Sequence, residues 1–267
     1  MRKARRTTGK PGSAAWFCRI CNTVILSAAF FLNAAAQQTE LGFRAGVSVP
    51  HLTSSGSSEI SKGYHSISGP DLALSFTVKI TEQFSLEAGL EWSTQGGKKS
   101  GLQTIPASPE LKPFFPPGVN TDYLYADFTS TVRLQYLMLP VLARHDFQLG
   151  QSGKWGLYVE AGIFGALLLD AQATASGSSG VYLDPQKTQQ IGTVIIQFDS
   201  TGDIRNQLHK GNFGLEANAG VRYRMEKFSL AAECGGNYGF INLQKDARNG
   251  VNHTGALLFR LGIFYPF

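Results

Sequence analysis

Between positions 212 and 225 every odd residue is apolar and every even one is small, polar or charged. Phe213, Leu215, Ala217, Ala219, Val221, Tyr223 and Met225 oppose Asn212, Gly214, Glu216, Asn218, Gly220, Arg222 and Arg224. A period of two places the two sets on opposite faces of an extended strand. The same split recurs at 41–49, 72–80, 84–92, 155–169, 228–240 and 255–267. An eighth segment, 132–147, loses phase near Pro140. A proline cannot donate to a ladder, so a bulge is expected there.

Eight amphipathic segments of about 9 to 16 residues match tilted strands that cross a bilayer. Their connections alternate. Those at 81–83, 148–154 and 226–227 are tight, whereas those at 50–69, 96–131, 172–211 and 241–253 are long. The predicted fold is therefore all-β: an eight-stranded antiparallel transmembrane β-barrel with short periplasmic turns, long extracellular loops and both termini on the periplasmic side. One patch, TVIIQF at 193–198, reads either as an extension of a hairpin beyond the membrane or as part of two further spanning strands.

A soluble barrel would show the same alternation with its apolar face inward. Its solvated exterior would then be rich in Lys and Glu, but the polar face here carries Gly89, Gly162, Gly214, Gly220, Gly235, Gly239 and Gly262 beside a few charges. Small residues suit a crowded lumen. On the apolar face, Trp92, Trp155, Phe228, Tyr238, Phe240 and Tyr265 lie toward strand ends, as aromatic girdles at the membrane interfaces do.

The chain of 267 residues carries 24 Lys plus Arg against 19 Asp plus Glu. Positions 1–36 hold Arg2, Lys3, Arg5, Arg6, Lys10 and Arg19 without an acid, then an apolar stretch at 20–32 and Ala34-Ala35-Ala36 before Gln37. That is the order of a secretory signal. Asn22 and Thr23 interrupt the apolar stretch, which is shorter than the roughly 20 residues of a spanning helix. The expected organisation is a signal peptide at 1–36 and a barrel domain at 37–267. Cleavage leaves 18 basic and 19 acidic residues, so the positive charge belongs to the leader and no nucleic-acid surface is expected. Cys18 and Cys21 leave with it, and Cys234 alone forms no intramolecular disulfide.

The order and spacing of several motifs resemble the PorT-type outer-membrane β-barrel family of Gram-negative bacteria. They are Gly42-Phe43-Arg44-Ala45-Gly46, LEAGLEWSTQGG at 86–97, YLMLPV at 136–141, YVEAGIFG at 158–165, GLEANAGVRY at 214–223 and the ending LGIFYPF. The resemblance implies a barrel placed in the outer membrane by the assembly machinery, with Phe267 as the terminal aromatic signal. It also implies a secretion-associated role as one alternative, through a member linked to the export of proteases. No functional residue is carried over by position.

The predicted inner face carries Arg44, Lys79, Arg133, Arg222, Arg224 and Arg260 against Glu87, Glu91, Glu160, Glu216 and Glu233. Near balance points to internal ion pairs, which fill an eight-stranded barrel. A structural network of Arg44, Glu91, Glu160, Arg222, Glu233 and Arg260 is expected, with a narrow pore for small solutes as the alternative. A two-residue turn at Glu226-Lys227 sets Arg222 opposite Ala231, so an Arg222 and Glu233 pair joined by Arg260 is expected on the diagonal.

No catalytic residue, metal site or cofactor is predicted. His51, His65, His209 and His253 fall in or beside long loops and His145 near a tight turn, without the spacing of a zinc motif. No histidine stands at a readable spacing from a nucleophile. Loops offer the better surface. IPASPELKPFFPPG at 105–118 pairs five prolines with Phe114 and Phe115, a candidate contact for a surface or secretion-system protein. Outer-membrane lipid and lipopolysaccharide complete the expected partners.

Overall fold

The computed structural model describes residues 38–55, 60–107, 113, 115–119, 121–150, 153–193 and 195–267. The chain divides into two units, Met1–Gln37 and Gln38–Phe267; the predicted leader lies outside the described residues.

Eight strands build the wall: β1 (Thr39–Ser54), β2 (Gly69–Lys79), β3 (Phe84–Lys99), β4 (Thr129–Leu149), β5 (Trp155–Ser176), β6 (Gly211–Arg224), β7 (Ser229–Gly239) and β8 (Asn252–Pro266). Each pairs antiparallel with its neighbours in sequence, and β8 pairs with β1 from Glu40↔Pro266 to Ser54↔Asn252, closing the ring. Closure leaves no sheet edge in the hydrocarbon, where an unpaired amide has no water to bond. At the periplasmic end the Met225 amide donates to the Phe228 carbonyl at 2.8 Å, making Glu226-Lys227 the two-residue turn expected.

Outward residues are large and apolar around the whole wall. Leu261, Ile163, Phe259, Leu257, Phe213 and Leu139 are more than half exposed. Their inward neighbours Arg260, Gly262, Leu258, Asn212 and Met138 are buried or half-buried. An apolar belt of this extent is stable only against lipid.

Strand β4 corrects the reading at Pro140. Its alternation never breaks: Val132, Leu134, Tyr136, Met138, Pro140, Leu142 and Arg144 all face inward. Because most of that inner set is apolar, both faces are hydrophobic and the period of two disappears from the sequence while the geometry keeps it. Pro140 costs a local lapse in the β3–β4 ladder between Ala88↔Val141 and Glu91↔Met138. The register shift lies elsewhere, between Gln135 and Tyr136, where β5 pairs through Asp170 and Leu168 and leaves Leu169 over.

Beyond the belt, β3, β4 and β5 continue into the extracellular loops. Leu102–Pro106 pairs with Tyr123–Asp127, Ser178–Ser179 with Ile196–Gln197, and Ser200–Asp203 with the upper part of β5. Among the described residues, the TVIIQF patch thus contributes Ile196–Gln197 to a strand, outside the ring. The barrel has eight spanning strands, not ten.

Candidate functional site

The lumen is filled in three layers. The periplasmic layer centres on Phe264 and Tyr158, which the odd-even order of β8 and β5 turns inward and buries. The guanidinium carbons of Arg222, Arg144 and Arg44 stand 4.3, 5.6 and 5.7 Å from the Phe264 ring centre, and that of Arg144 stands 4.0 Å from Tyr158. The negative ring faces attract the cations. Arg222 also donates twice to Glu40 at 2.8 Å, and Arg144 to Asp146 at 3.0 Å. Tyr158 lies across the β5–β6 pair over Gly220, where a Cβ would come within 2.3 Å of its ring, and donates to Glu233 at 2.8 Å.

The middle layer is charged. Arg44 donates to Glu87, and to Glu160 and Glu233 at 2.9 Å each. Arg260 donates to Asp71 at 2.6 Å, Glu216 at 3.1 Å and Glu233 at 3.3 Å, with Glu91 2.7 Å away. Ser93, Thr77 and Asn218 donate to Asp71, Glu87, Glu160 and Glu216. These bonds tie seven of the eight strands together, all but β4. Charge-assisted hydrogen bonds of this kind are the stronger ones, and they offset the cost of dehydrating the ions.

The outer layer is apolar on the β4–β5 side, with Gln95 bonded to Asn237 and Asn212 to Thr254 beside it. Leu134, Tyr136, Met138, Phe164 and Leu168 from β4 and β5 meet Leu52 of β1, and Leu208 and Leu243 of the loops close over them, all buried. Backbone bonds hold that cover: the His209 amide donates to Leu243 at 3.0 Å and the Leu243 amide to Asn252 at 2.8 Å.

Arg44, Glu91, Glu160, Arg222, Glu233 and Arg260 all face this lumen. Three expectations are corrected. Arg133 is exposed on the outer face and donates to the Ser68 carbonyl at 3.2 Å. Lys79 and Arg224, by contrast, keep the inward parity of their strands and are half-buried at the periplasmic end. Among the described residues, the balance of six bases against five acids gives way to seven buried carboxylates, Glu40 and Asp71 being the additions, and four buried guanidiniums, including Arg144. Lys99, the other buried base among the described residues, donates to the Ile60 carbonyl in the loops. Finally, Arg222 bonds Glu40 rather than Glu233, although it does oppose Ala231. Its guanidinium reaches past the β6–β7 pair across the lumen, and the diagonal neighbour turns instead to Arg44 and Arg260. Asp71 was legible as an inward position from strand parity alone, whereas Arg144 lies in 132–147, where apolar residues on both faces hide the parity.

Phe114 lies outside the described residues, and Phe115 is half-buried. Phe267 is joined to β1 by two bonds of 3.0 Å with Thr39, its ring exposed and 6.1 Å from Phe76. His51, His145 and His253 point outward from the wall, and His209 contacts the Asn242 carbonyl at 2.7 Å. Among the described residues no group of three or more His, Cys, Asp or Glu could hold a metal ion.

A closed antiparallel ring with an apolar exterior and a polar interior is a transmembrane β-barrel of the outer-membrane class. Residues 35–245 match the outer membrane protein beta-barrel domain family, and the chain belongs to it. It is similar to Neisserial surface protein A, with 16% identity over 85% of this chain and 97% of that one, TM-score 0.38. It is also similar to the N-terminal β-barrel domain of Pseudomonas aeruginosa OprF, with 15% identity over 87% and 100%, TM-score 0.35. The outer membrane protease OmpT from Escherichia coli is a third, with 11% identity over 88% and 98%, TM-score 0.33. No curated protein matches the sequence.

Proposed function

We propose that this chain is a non-conducting, non-enzymatic outer-membrane barrel, delivered by its leader and inserted through the Phe267 signal, that acts as a rigid scaffold for its extracellular loops. The three-layered lumen carries this reading. An ion entering from the periplasm meets three guanidiniums held against Phe264 and Tyr158. One entering from outside meets the apolar layer under Leu208 and Leu243. The charged layer between them is cross-linked by its own ion pairs.

The loops are the surface left for recognition. Leu124, Ala126 and Val181 are buried within them, giving the extracellular platform a small core of its own. The aromatic, proline-rich segment around Phe115 is the proposed contact for a surface or secretion-system protein. A place in the PorT-type subset, beside an export apparatus, rests on the order of sequence motifs alone.

The test is single-channel recording of the refolded chain from Gln37 to Phe267 in a planar bilayer. Insertion without stepwise current is expected. Steady, salt-dependent openings would overturn the closed lumen and favour a pore for small solutes.

A further inference from the structure

At the extracellular edge of the belt, three bases meet on the outer face of one wall. His65 and Lys98 pair through reciprocal backbone bonds of 2.7 and 2.9 Å, which puts their exposed side chains on the same face. Arg133 belongs to the next strand, where it opposes Gly96 and lies diagonal to Lys98, itself opposite Thr131. Gly96 has no side chain to obstruct it, and Arg133 reaches across to the Ser68 carbonyl at 3.2 Å. That bond draws the guanidinium toward β2 and away from Asp170, the acid diagonal to it on β5. Among the described residues neither Lys98 nor Arg133 is in an ion pair.

Further down the same outer face, past Thr94 and Gln135, lie Trp92 and Leu137, paired with each other across β3 and β4, and Leu72 beside Trp92 on β2. Arg133 therefore stands two same-face positions, and Lys98 three, above these apolar side chains. That is the level of lipid headgroups, reached by acyl chains packed on the belt below.

We infer that His65, Lys98 and Arg133 form a site on the outer wall for the phosphate groups of the phosphorylated glycolipid of the outer leaflet, whose acyl chains lie against Leu72, Trp92 and Leu137. The inference rests on the outer-membrane reading and goes beyond it by naming the lipid chemistry and the strands that hold it. A guanidinium and an ammonium on a rigid sheet face complement two anionic groups carried by one lipid, and the continuous apolar wall holds that lipid upright beneath them.

The full barrel in neutral detergent micelles is titrated calorimetrically with bisphosphorylated lipid A and with the same glycolipid after removal of both phosphates. The parent is expected to prefer the phosphorylated form. Lys98→Gln with Arg133→Gln should weaken its binding about thirtyfold, roughly fivefold for each cation near an anionic surface. Lys154→Gln with Lys227→Gln, at the periplasmic turns, should leave it unchanged. Folding of each variant is checked by the compact migration of unheated samples. Independently of any variant, raised salt should weaken binding by the parent. Equal binding of both glycolipids, an unaffected Lys98/Arg133 variant, an equal loss in the periplasmic variant or a salt-insensitive affinity would each overturn the site. A silent barrel without phosphate preference sinks this inference alone, and a conducting barrel that keeps the preference sinks the closed lumen alone.

Discussion

Arg222 clasps Glu40 through two hydrogen bonds of 2.8 Å across the periplasmic end of the lumen, although 182 positions separate them in the chain. Both are buried, so each is the other's substitute for water. Removing one partner by Glu40→Gln or Arg222→Met should lower stability by about 3 to 5 kcal/mol, because the remaining group is left dehydrated and uncompensated. Replacing both with apolar residues should recover most of the loss. Urea unfolding in micelles measures this; single variants with the parent's midpoint would refute the pairing.

Gly220 makes room for the Tyr158 ring, which bonds Glu233 only from that position. Gly220→Val should displace the ring and cost about 1 to 3 kcal/mol through overpacking. Tyr158→Phe, which keeps the ring and loses the hydroxyl, should cost less. Thermal unfolding of the two variants gives the order.

If two layers seal the lumen in series, opening one should not open the barrel. Phe264→Ala should destabilise by about 3 to 5 kcal/mol and still pass no current, because the apolar layer remains. Adding Tyr136→Ser and Phe164→Ser should bring conductance. Current from the Phe264 variant alone would show that the outer layer does not seal.

Cys234 is exposed on the outer face of β7, opposite Ala219 and Phe259. In lipid vesicles it should react with a membrane-permeant maleimide and resist a charged, impermeant one until detergent is added. Rapid labelling by the charged reagent would place that part of the wall outside the lipid.

In the loops, the carboxylate of Asp184 accepts the amides of Thr188 and Gln189 at 3.1 and 2.8 Å, and these bonds hold it below the ordinary aspartate value. A depressed carboxyl contributes order that is present above its unfolded value and is lost as pH falls through the folded one. Amide protection at Thr188 and Gln189 should therefore persist through neutral and mildly acidic pH and fall only below the ordinary aspartate range. Asp184→Ala should abolish it at every pH, as hydrogen exchange would record.

Strand number, facing and the tight turns were legible because a wall one residue thick leaves each side chain two destinations, lipid or lumen. Parity along Asn212, Gly214, Glu216 and onward reads that choice directly. It failed at 132–147, where Leu134 and Met138 fill an apolar lumen and both destinations select the same residue types. Arg133 shows the opposite limit: at the rim, water outside admits a charge that lipid would exclude.

The sequence by itself determined that charged side chains occupy the lumen, since no charge is stable against hydrocarbon. Which carboxylate each arginine takes was decided by tertiary structure. Strands tilt and stagger around the ring, so Glu40 of β1 reaches Arg222 of β6 across the lumen while the nearer Glu233 is taken by Arg44 and Arg260. Partners chosen across an enclosed volume depend on barrel diameter and stagger, which belong to the closed sheet and to no single strand.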